Sequence, residues 1–241
     1  TGPTGSGKTT TLYSILSELN DPKRNILTAE DPIEYELEGI GQSQMKSEIN
    51  YTFAKALRTF LRQDPEVILV GEIRDQETGN IAVEAALTGH LVCSTLHTNS
   101  SVETITRLVN MGIPNYLISS SVSLVIGQRL ARKICQKCKV EDKNSSAKLL
   151  KQMKLPSDLN PMVGKGCKEC NNSGYKGRQG IYEILKITED LQDGILKNLT
   201  IPEMESVAKK EGFLSMQEVG AGYIREGLLS LEEYQRTLFI S

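Results

Sequence analysis

The chain has 241 residues, with 28 Lys and Arg against 30 Asp and Glu, which gives a formal net charge of −2 at pH 7. A hydrophobic fraction of 39% is typical of globular proteins and excludes disorder over most of the chain. No apolar run approaches the roughly 20 residues of a membrane-spanning helix, and no signal peptide is expected. Five cysteines in such a chain indicate a reducing compartment, where paired cysteines more often bind metal than form disulfides.

The charge is unevenly distributed along the chain. Residues 129–178 carry 13 Lys and Arg against 4 Asp and Glu, a net charge of +9, so the remainder carries −11. One interpretation is a separate module with an anionic partner surface. The other is a soluble, lysine-rich surface insertion, and composition alone leaves both open.

The chain opens on a phosphate-loop pattern. The motif G-x-x-x-x-G-K-[ST] is matched throughout by Gly2, Pro3, Thr4, Gly5, Ser6, Gly7, Lys8 and Thr9. Glycines let the backbone curl so that successive N–H groups point at phosphate oxygens. Lys8 supplies a positive charge for the β- and γ-phosphates of ATP, and Thr9 supplies a hydroxyl for Mg²⁺. The pattern therefore predicts a nucleotide site formed by residues 2–9.

The segment after the loop is predicted to be a helix over residues 8–19. Its apolar face consists of Leu12, Ile15, Leu16 and Leu19. The N-terminus of this helix points at the phosphates, so its dipole adds to their attraction. A buried strand normally precedes and anchors a phosphate loop, so we expect the chain to be a piece of a longer protein.

Three carboxylates follow a short strand predicted at residues 25–29. Glu30, Asp31 and Glu34 lie within five residues, where their like charges repel one another unless a cation is near. Beside bound Mg²⁺ and nucleotide, one of them can orient or deprotonate an attacking water. A solvated acidic turn stiffened by Pro32 is the alternative.

A second acidic residue follows an unbroken apolar run at residues 67–70. This run is typical of a parallel strand buried on both faces, and ligands bind outside the carboxyl ends of such strands. Glu72 is therefore expected near the Mg²⁺. Aspartate is usual at this point, and the longer glutamate suits contact through a metal-bound water. A structural glutamate at a strand end is the alternative.

Both histidines lie around a third predicted strand, at residues 91–96. His97 follows its carboxyl end, where the imidazole can donate a hydrogen bond to the γ-phosphate. His90 precedes the strand and is interpreted as structural or as lying at a subunit boundary.

Helices are predicted between these strands, at residues 52–62 and 78–87. In the first, Lys55, Arg58 and Arg62 share a face, which we interpret as solvated, with contact to a neighbour's phosphate as the alternative. Strands that alternate with helices predict an α/β fold with a parallel sheet and right-handed crossovers.

Four cysteines form two C-x-x-C pairs. Cys135 and Cys138 are separated by 28 residues from Cys167 and Cys170. Each short loop presents two thiolates, so the four suit one tetrahedral, structural Zn²⁺, with two disulfides as the alternative. Cys93 lies in a predicted strand and is interpreted as a small buried hydrophobe.

We divide the chain into three segments. Residues 1–134 form the phosphate-loop core, truncated at its N-terminus, 135–178 the zinc-binding insertion, and 179–241 a mostly helical extension. In the extension, one helix is predicted to start near Pro202 and another to span 228–238, with Gly212 and Gly227 as helix stops. Residues 177–184 are predicted to be a turn that leads into a strand.

Taken together, the motifs resemble the secretion-ATPase superfamily that drives type II secretion and type IV pilus assembly. Besides the phosphate loop and the cysteine pairs, residues 27–35 look like the family's Asp box, 62–65 with 71–75 like its Walker B signature, and 87–99 like its His box. The resemblance covers nearly the whole chain and implies a RecA-like core. The cysteine pairs favour an assembly or secretion motor, because the retraction motors of the family lack that insertion.

The resemblance also implies roles and partners. Glu34 is the catalytic base, Glu72 the Walker B acid on the Mg²⁺ shell, and His97 the γ-phosphate contact. The family works as hexamers in the cytoplasm, peripheral to the inner membrane, and passes domain rotation to an inner-membrane platform protein. An upstream domain supplies arginines to the nucleotide, so we expect this 241-residue chain alone to hydrolyse ATP poorly.

Two other functions are weighed against the motor. A nucleic-acid-binding ATPase would use the basic segment 129–178 on a phosphate backbone, but Tyr175 is the only aromatic residue there, and no nucleic acid is expected. A non-catalytic assembly subunit would bind nucleotide without hydrolysing it.

Overall fold

The computed structural model describes residues 1–143, 145, 147–153 and 155–239. Residues 144, 146 and 154 of the predicted zinc segment, and 240 and 241 of the predicted extension, lie outside the described residues. The chain divides into two compact units. The first comprises Thr1–Ile126 and Leu185–Phe213, and the second comprises Gly127–Ile184 and Leu214–Ser241.

Strands and helices alternate through the first part of the chain. The strands are β1 (Ile26–Glu30), β2 (Gly41–Gln44), β3 (Val67–Val70), β4 (Leu91–Ser94), β5 (Leu124–Ile134), β6 (Lys139–Glu141), β7 (Met162–Gly164) and β8 (Tyr175–Lys186). The helices are α1 (Lys8–Leu19), α2 (Phe53–Phe60), α3 (Gln76–Leu87), α4 (Ser101–Asn110), α5 (Asn115–Ser121), α6 (Ala147–Gln152), α7 (Glu189–Leu196), α8 (Ile201–Lys210), α9 (Met216–Arg225) and α10 (Leu231–Leu238).

The first unit is built on a parallel sheet in the order β2-β1-β3-β4. The register aligns Ala29 with Val70 and Val70 with Ser94, so the carboxyl ends of β1, β3 and β4 meet at one edge of the sheet. The predicted α/β fold with a parallel sheet is confirmed. Whatever follows these strands is brought together at that edge, as expected for parallel strands.

Side-chain alternation places helices on both faces of this sheet. Ile26, Val67 and Leu69 pack with Tyr13 and Leu16 of α1. The intervening strand residues pack on the other face against α2 and α3, and that cluster contains Leu27, Ala29, Ile68, Val70, Ala54, Leu57, Phe60, Ile81 and Ala85. Successive strand residues point to opposite faces, so a strand covered on both faces is apolar nearly throughout; in β1 the exceptions, Thr28 and Glu30, are hydrogen-bonded to each other.

A second core of the first unit recruits residues that are distant in sequence. Ile105, Ile118, Leu191 and Met204 share one cluster, which joins α4 and α5 to α7 and α8. The predicted segment 179–241 is therefore divided between the two units in the structure, because α7 and α8 pack on the first unit while α9 and α10 belong to the second.

The second unit has its own core and a buried carboxylate with two half-exposed arginine partners. Ala131, Ile181, Ile224 and Tyr234 lie in one cluster drawn from β5, β8, α9 and α10. Beside it, Glu233 has a fully buried side chain.

Two arginines from different elements share this carboxylate. Arg132 of β5 donates its backbone N–H (2.6 Å) and its Nε (2.8 Å) to Glu233, and Arg236 donates its Nε at 2.8 Å. Burial opposes ionisation, but the guanidinium groups of Arg236 and Arg132 hold the pKa of Glu233 below its usual range. The last helix is thus tied to the strand that leads into the first cysteine pair.

Several helices and strands begin or end a few residues away from the predicted positions. The helix predicted to begin at 228 begins at Leu231, because the Ser230 hydroxyl accepts the N–H of Glu233 and caps it. The third predicted strand ends at Ser94 instead of 96, and the first extends to Glu30. The predicted turn at 177–180 lies inside β8, where Gly177 takes a positive φ of 82°.

In the part of the chain that the structure describes, no helix combines the length and apolar character that crossing a bilayer requires.

Two glycines of α9 provide a matched test of packing in the second unit. A Cβ on Gly220 would lie 2.8 Å from the Tyr234 ring, whereas a Cβ on Gly222 would meet nothing within 4 Å. We expect Gly220→Ala to lower the free energy of unfolding by about 1–3 kcal/mol through overpacking. Gly222→Ala should raise it by roughly 0.5–1 kcal/mol through helix propensity. Urea unfolding followed by circular dichroism measures both, and equal effects would contradict this packing.

Candidate nucleotide site and candidate metal centre

The phosphate loop curls through alternate left-handed glycines. Gly5 and Gly7 have φ values of 78° and 89°, and no atom lies within 4 Å of a Cβ added at Gly5. Gly7 is the N-cap of α1, so the helix begins at Lys8 as the sequence predicts. Left-handed residues between right-handed ones turn successive N–H groups to one side, which forms an anion-binding concavity.

Two side chains of the loop indicate what it can hold. Lys8 Nζ donates to the carbonyl oxygens of Gly2 at 2.7 Å and Pro3 at 3.1 Å, so its ammonium lies across the loop. The Ser6 Oγ atom is buried and has no hydrogen-bond partner among the described residues. Buried polar atoms normally have partners, and a phosphate oxygen would satisfy this one. The loop thus fits a phosphate chemically.

One cleft of about 580 Å³ collects most of the predicted site residues. Its lining includes Thr4, Gly5, Ser6, Gly7, Lys8, Thr9, Glu30, Asp31, Glu34, Glu72, Thr95 and His97. Gly2 is buried beneath the loop, and Pro3 lines an adjoining cleft of about 560 Å³ that also contains His97. The parallel sheet explains the grouping, because the acids and the histidine follow β1, β3 and β4 at the same edge.

The structure distinguishes the three carboxylates that follow or end β1. Glu30 is buried and its carboxylate receives hydrogen bonds from the Tyr13 hydroxyl, from Thr28 Oγ1 at 2.5 Å and from Gln42 Nε2 at 3.1 Å. Asp31 and Glu34 are exposed toward the cleft. Glu30 therefore has its acceptor capacity occupied by the protein, whereas Glu34 is placed to meet solvent and ligand.

Glu72 lies between a histidine and an arginine. Its carboxylate forms an ion pair with Arg74 and lies 3.6 Å from His97 Nε2. Only 14% of the Glu72 side chain is exposed, against 52% for His97. The Glu72 carboxylate is thus held at the cleft wall, while the imidazole of His97 extends into the cleft.

His90 has a local structural contact. Its Nδ1 lies 2.9 Å from the carbonyl oxygen of Ala85 and 3.2 Å from the hydroxyl of Thr88, at the end of α3. An imidazole N–H at a helix C-terminus satisfies a carbonyl that the helix leaves open. The contact is consistent with the structural interpretation of His90.

The four paired cysteines converge in the second unit. Cys135 and Cys138 follow the end of β5, and Cys167 is the N-cap of a short 3-10 helix, Lys168–Cys170, which ends at Cys170. Their Sγ atoms all lie within 4.8 Å of one another. Measured pairs are 3.8 Å for Cys135–Cys167 and Cys167–Cys170, and 3.9 Å for Cys138–Cys170.

These separations fit a tetrahedral metal site and exclude disulfides. A tetrahedron with Zn–S bonds of about 2.3 Å has sulfur atoms about 3.8 Å apart. A disulfide requires about 2.05 Å, and all five cysteines are free thiols. The donor set and its spacing suit Zn²⁺.

Backbone donors reinforce the thiolate character of one ligand. The N–H groups of Cys167 and Gly174 point at Cys170 Sγ, at 3.2 and 3.3 Å. Burial acts in the opposite direction, but these donors and the neighbouring thiols lower the pKa of Cys170 to about 6. By contrast, burial raises the pKa of Cys93, which is partly buried beside α1. Cys93 is therefore an ordinary packed thiol, as predicted.

Comparison with known proteins gives the chain its relatives. A family model described as "Type II/IV secretion system protein" matches residues 1–236. The chain belongs to this family. The Type II secretion system protein E of Pseudomonas aeruginosa is 50% identical over 239 residues, which are 98% of this chain and 47% of that protein. The Type IV pilus assembly ATPase PilB of Myxococcus xanthus is 47% identical over 237 residues, 97% of this chain and 42% of that protein.

Two solved structures, of a pilus retraction motor and of an ATPase, share the fold of this chain. The pilus retraction motor PilT with bound ADP matches with a TM-score of 0.71 at 32% identity, over 98% of this chain and 59% of that one. The Legionella pneumophila ATPase DotB matches with a TM-score of 0.68 at 29% identity, over 97% and 57%. The chain spans between 42% and 59% of the length of these secretion-family relatives. The resemblance to the secretion-ATPase superfamily is thereby confirmed.

The hydrogen-bond partners of Glu30 were not predicted from the sequence. Tyr13 was absent from the predicted apolar face of α1, yet Tyr13 and Leu16 are its buried residues. A tyrosine at helical spacing from an apolar residue is a usable signal, because a buried hydroxyl needs a hydrogen-bond partner. Arg74 was also not singled out, although its contact with Glu72 places it at the cleft.

The different environments of Glu30 and Glu34 predict different costs of the same substitution. In Glu30→Gln, an amide NH₂ would face one of the buried donors, and we expect a loss of about 1–3 kcal/mol in the free energy of unfolding. Glu34→Gln should change it by less than about 0.5 kcal/mol, because Glu34 is exposed. Urea titration of both variants measures the contrast. A destabilised Glu34→Gln beside an unaffected Glu30→Gln would contradict the assignment of the buried carboxylate.

Proposed function

We propose that this chain is the nucleotide-binding part of a motor ATPase that hydrolyses ATP to drive type IV pilus assembly or type II secretion. The observation that carries the proposal is the single cleft in which the phosphate loop meets Glu34, Glu72 and His97. Names of relatives support the choice of process, since they are a type II secretion protein and a pilus assembly ATPase.

Each residue has one proposed task at the nucleotide. Backbone N–H groups of the loop at residues 2–9, of which Pro3 has none, and the ammonium of Lys8 bind the phosphates of ATP. Thr9 and Glu72, which line the cleft, would hold Mg²⁺. When bound, Mg²⁺ neutralises charge that develops on the phosphate oxygens. His97 donates a hydrogen bond to the γ-phosphate.

Glu34 is proposed as the base that prepares the attacking water. Its carboxylate lines the cleft and is exposed, which allows a water to sit between it and the phosphate loop. Glu30 is unsuited to this task, because its oxygens accept three protein hydrogen bonds. A positioned carboxylate base contributes about 10²–10⁴-fold to rate.

The assembled protein is proposed to be a homo-oligomer, a hexamer as in the family it resembles. It acts in the cytoplasm, at the inner membrane, through a membrane-embedded platform protein. The separate expectation of poor hydrolysis by the 241-residue chain alone stays a prediction.

The nucleic-acid alternative is not favoured by the surroundings of Tyr175. The guanidinium of Arg132 lies 4.1 Å from the centroid of the Tyr175 ring, and the Tyr175 hydroxyl is hydrogen-bonded to Ser230 Oγ at 2.8 Å. The one aromatic residue of segment 129–178 is thus engaged within the protein, whereas single-stranded nucleic acids are bound by open aromatic faces.

Hydrolysis by the full-length protein tests the nucleotide assignments. Lys8→Ala should abolish measurable ATP hydrolysis and weaken nucleotide binding. Glu34→Gln should lower kcat by about 10²–10⁴-fold with little effect on binding. Steady-state phosphate release and a fluorescent-nucleotide titration provide the two measurements.

Glu36→Gln is the matched control for Glu34→Gln. Glu36 is an exposed glutamate two residues further along the same loop and does not line the cleft. The Glu36→Gln variant should hydrolyse ATP at the rate of the unmodified protein. Normal hydrolysis by Glu34→Gln would refute the base assignment, and normal hydrolysis by Lys8→Ala would refute the ATPase itself.

We also propose that the four-cysteine cluster binds one structural Zn²⁺. Cys135→Ser and Cys167→Ser should each lose stoichiometric zinc, because each removes one of four thiolates, and their second units should unfold more readily. Cys93→Ser should retain one zinc per chain, since Cys93 lies in the other unit. Elemental analysis of purified protein measures the content. Zinc retained after loss of either paired cysteine would overturn the proposal.

A further inference from the structure

Tyr13 lies on the helix that begins at the phosphate loop. It follows Lys8 by five residues in α1, and only 1% of its surface is exposed. Burial, and next the hydrogen bond to Glu30, raise its pKa to about 12. At neutral pH the hydroxyl therefore keeps its proton and is a donor.

The hydroxyl of Tyr13 is engaged on both sides. It donates to Glu30 Oε2 and accepts from the backbone N–H of Glu34 at 3.3 Å and from Gln42 Nε2 at 3.4 Å. One atom thus connects α1, the end of β1 and the backbone of the residue proposed as the base.

Gln42 of β2 holds the same loop at two further points. Its Nε2 lies 3.3 Å from the carbonyl oxygen of Tyr35, and its Oε1 accepts the N–H of Leu37 at 2.6 Å. The ring of Tyr35 also packs edge-on against Tyr13, with centroids 4.7 Å apart. The loop after β1 is therefore fixed beside Tyr13 by hydrogen bonds at three of its residues, Glu34, Tyr35 and Leu37.

The side chain of Glu34 is exposed and makes no hydrogen bond or ion pair among the described residues. Its place in the cleft consequently depends on where its backbone is held. We propose that Tyr13 is a positioning residue, which sets the distance between the Glu34 carboxylate and the phosphate loop. The inference rests on the proposed function, because it assumes that Glu34 is the base.

Tyr13→Phe removes the hydroxyl and retains the buried ring. In the full-length protein with Mg²⁺ and ATP, kcat should fall by about 10–100-fold, since a misplacement near 1 Å can cost about 10²-fold in rate. KM and the affinity for ATP should change by less than about threefold, because the loop and Lys8 are untouched. A fall in affinity with unchanged kcat would overturn the proposal.

Tyr234→Phe is the matched control. Tyr234 is equally buried, its pKa is also raised to about 12 by burial, and its hydroxyl donates to Gln217 O at 3.3 Å in the second unit. It measures the general cost of losing a buried hydroxyl, and its kcat should stay within about twofold. An equal loss of kcat in Tyr234→Phe would overturn the specific role of Tyr13.

A double-mutant cycle separates positioning from other roles. If Tyr13 acts through Glu34, Tyr13→Phe should cause no further loss of kcat in a Glu34→Gln background. A loss of the same factor in both backgrounds would refute the inference. Normal hydrolysis by Glu34→Gln alone would instead refute the base assignment, so the two failures are distinguishable.

Gln42→Ala keeps the inference testable if Tyr13→Phe folds poorly. Gln42 is only partly buried, on the edge strand β2, so its truncation should be tolerated. It should lower kcat in the same direction and be equally silent in the Glu34→Gln background. Unchanged kcat in Gln42→Ala and Tyr13→Phe together would overturn the proposal.

Discussion

Parallel pairing of β1, β3 and β4 determines the position of the acids and the histidine proposed to act on the nucleotide. β1 and β3 are buried on both faces, with α1 on one side and α2 and α3 on the other, and β4 pairs with β3 through partly buried residues. Because the carboxyl ends of these strands coincide, the acids after β1 and β3 and the histidine after β4 lie close together although they are distant in sequence. The chemistry of the cleft is thus a consequence of sheet register.

The second unit is organised differently, because its apolar core is small and supplemented by polar and sulfur contacts. The Sγ tetrahedron joins the loops around β6 and β7, and the carboxylate of Glu233 joins β5 to α10. Small domains bury less of their apolar surface than large ones do, and a structural metal contributes folding free energy to them.

Sequence reasoning was most accurate where local physics decides the outcome. The start of α1 at Lys8 follows from the glycines before it, and the cysteine cluster follows from two short loops of fixed geometry. It was less accurate where distant partners decide. No local signal shows which of Glu30, Asp31 and Glu34 is buried, because that depends on Tyr13 and Gln42. Likewise, α7 and α8 return to the first core through contacts that span about 80 residues, as in the bond from Asn115 to Ile195.

The buried Glu233 also has a consequence for the order of events during synthesis. Its bonds to Arg132 join residues 101 positions apart, and the second unit is interrupted by residues 185–213 of the first. Contacts between residues so far apart in sequence are slow to form, and Arg132 lacks its partner until Glu233 has been synthesised. The cysteine pairs are synthesised before α10, so the flank of the first pair acquires its carboxylate only after Glu233 has been translated.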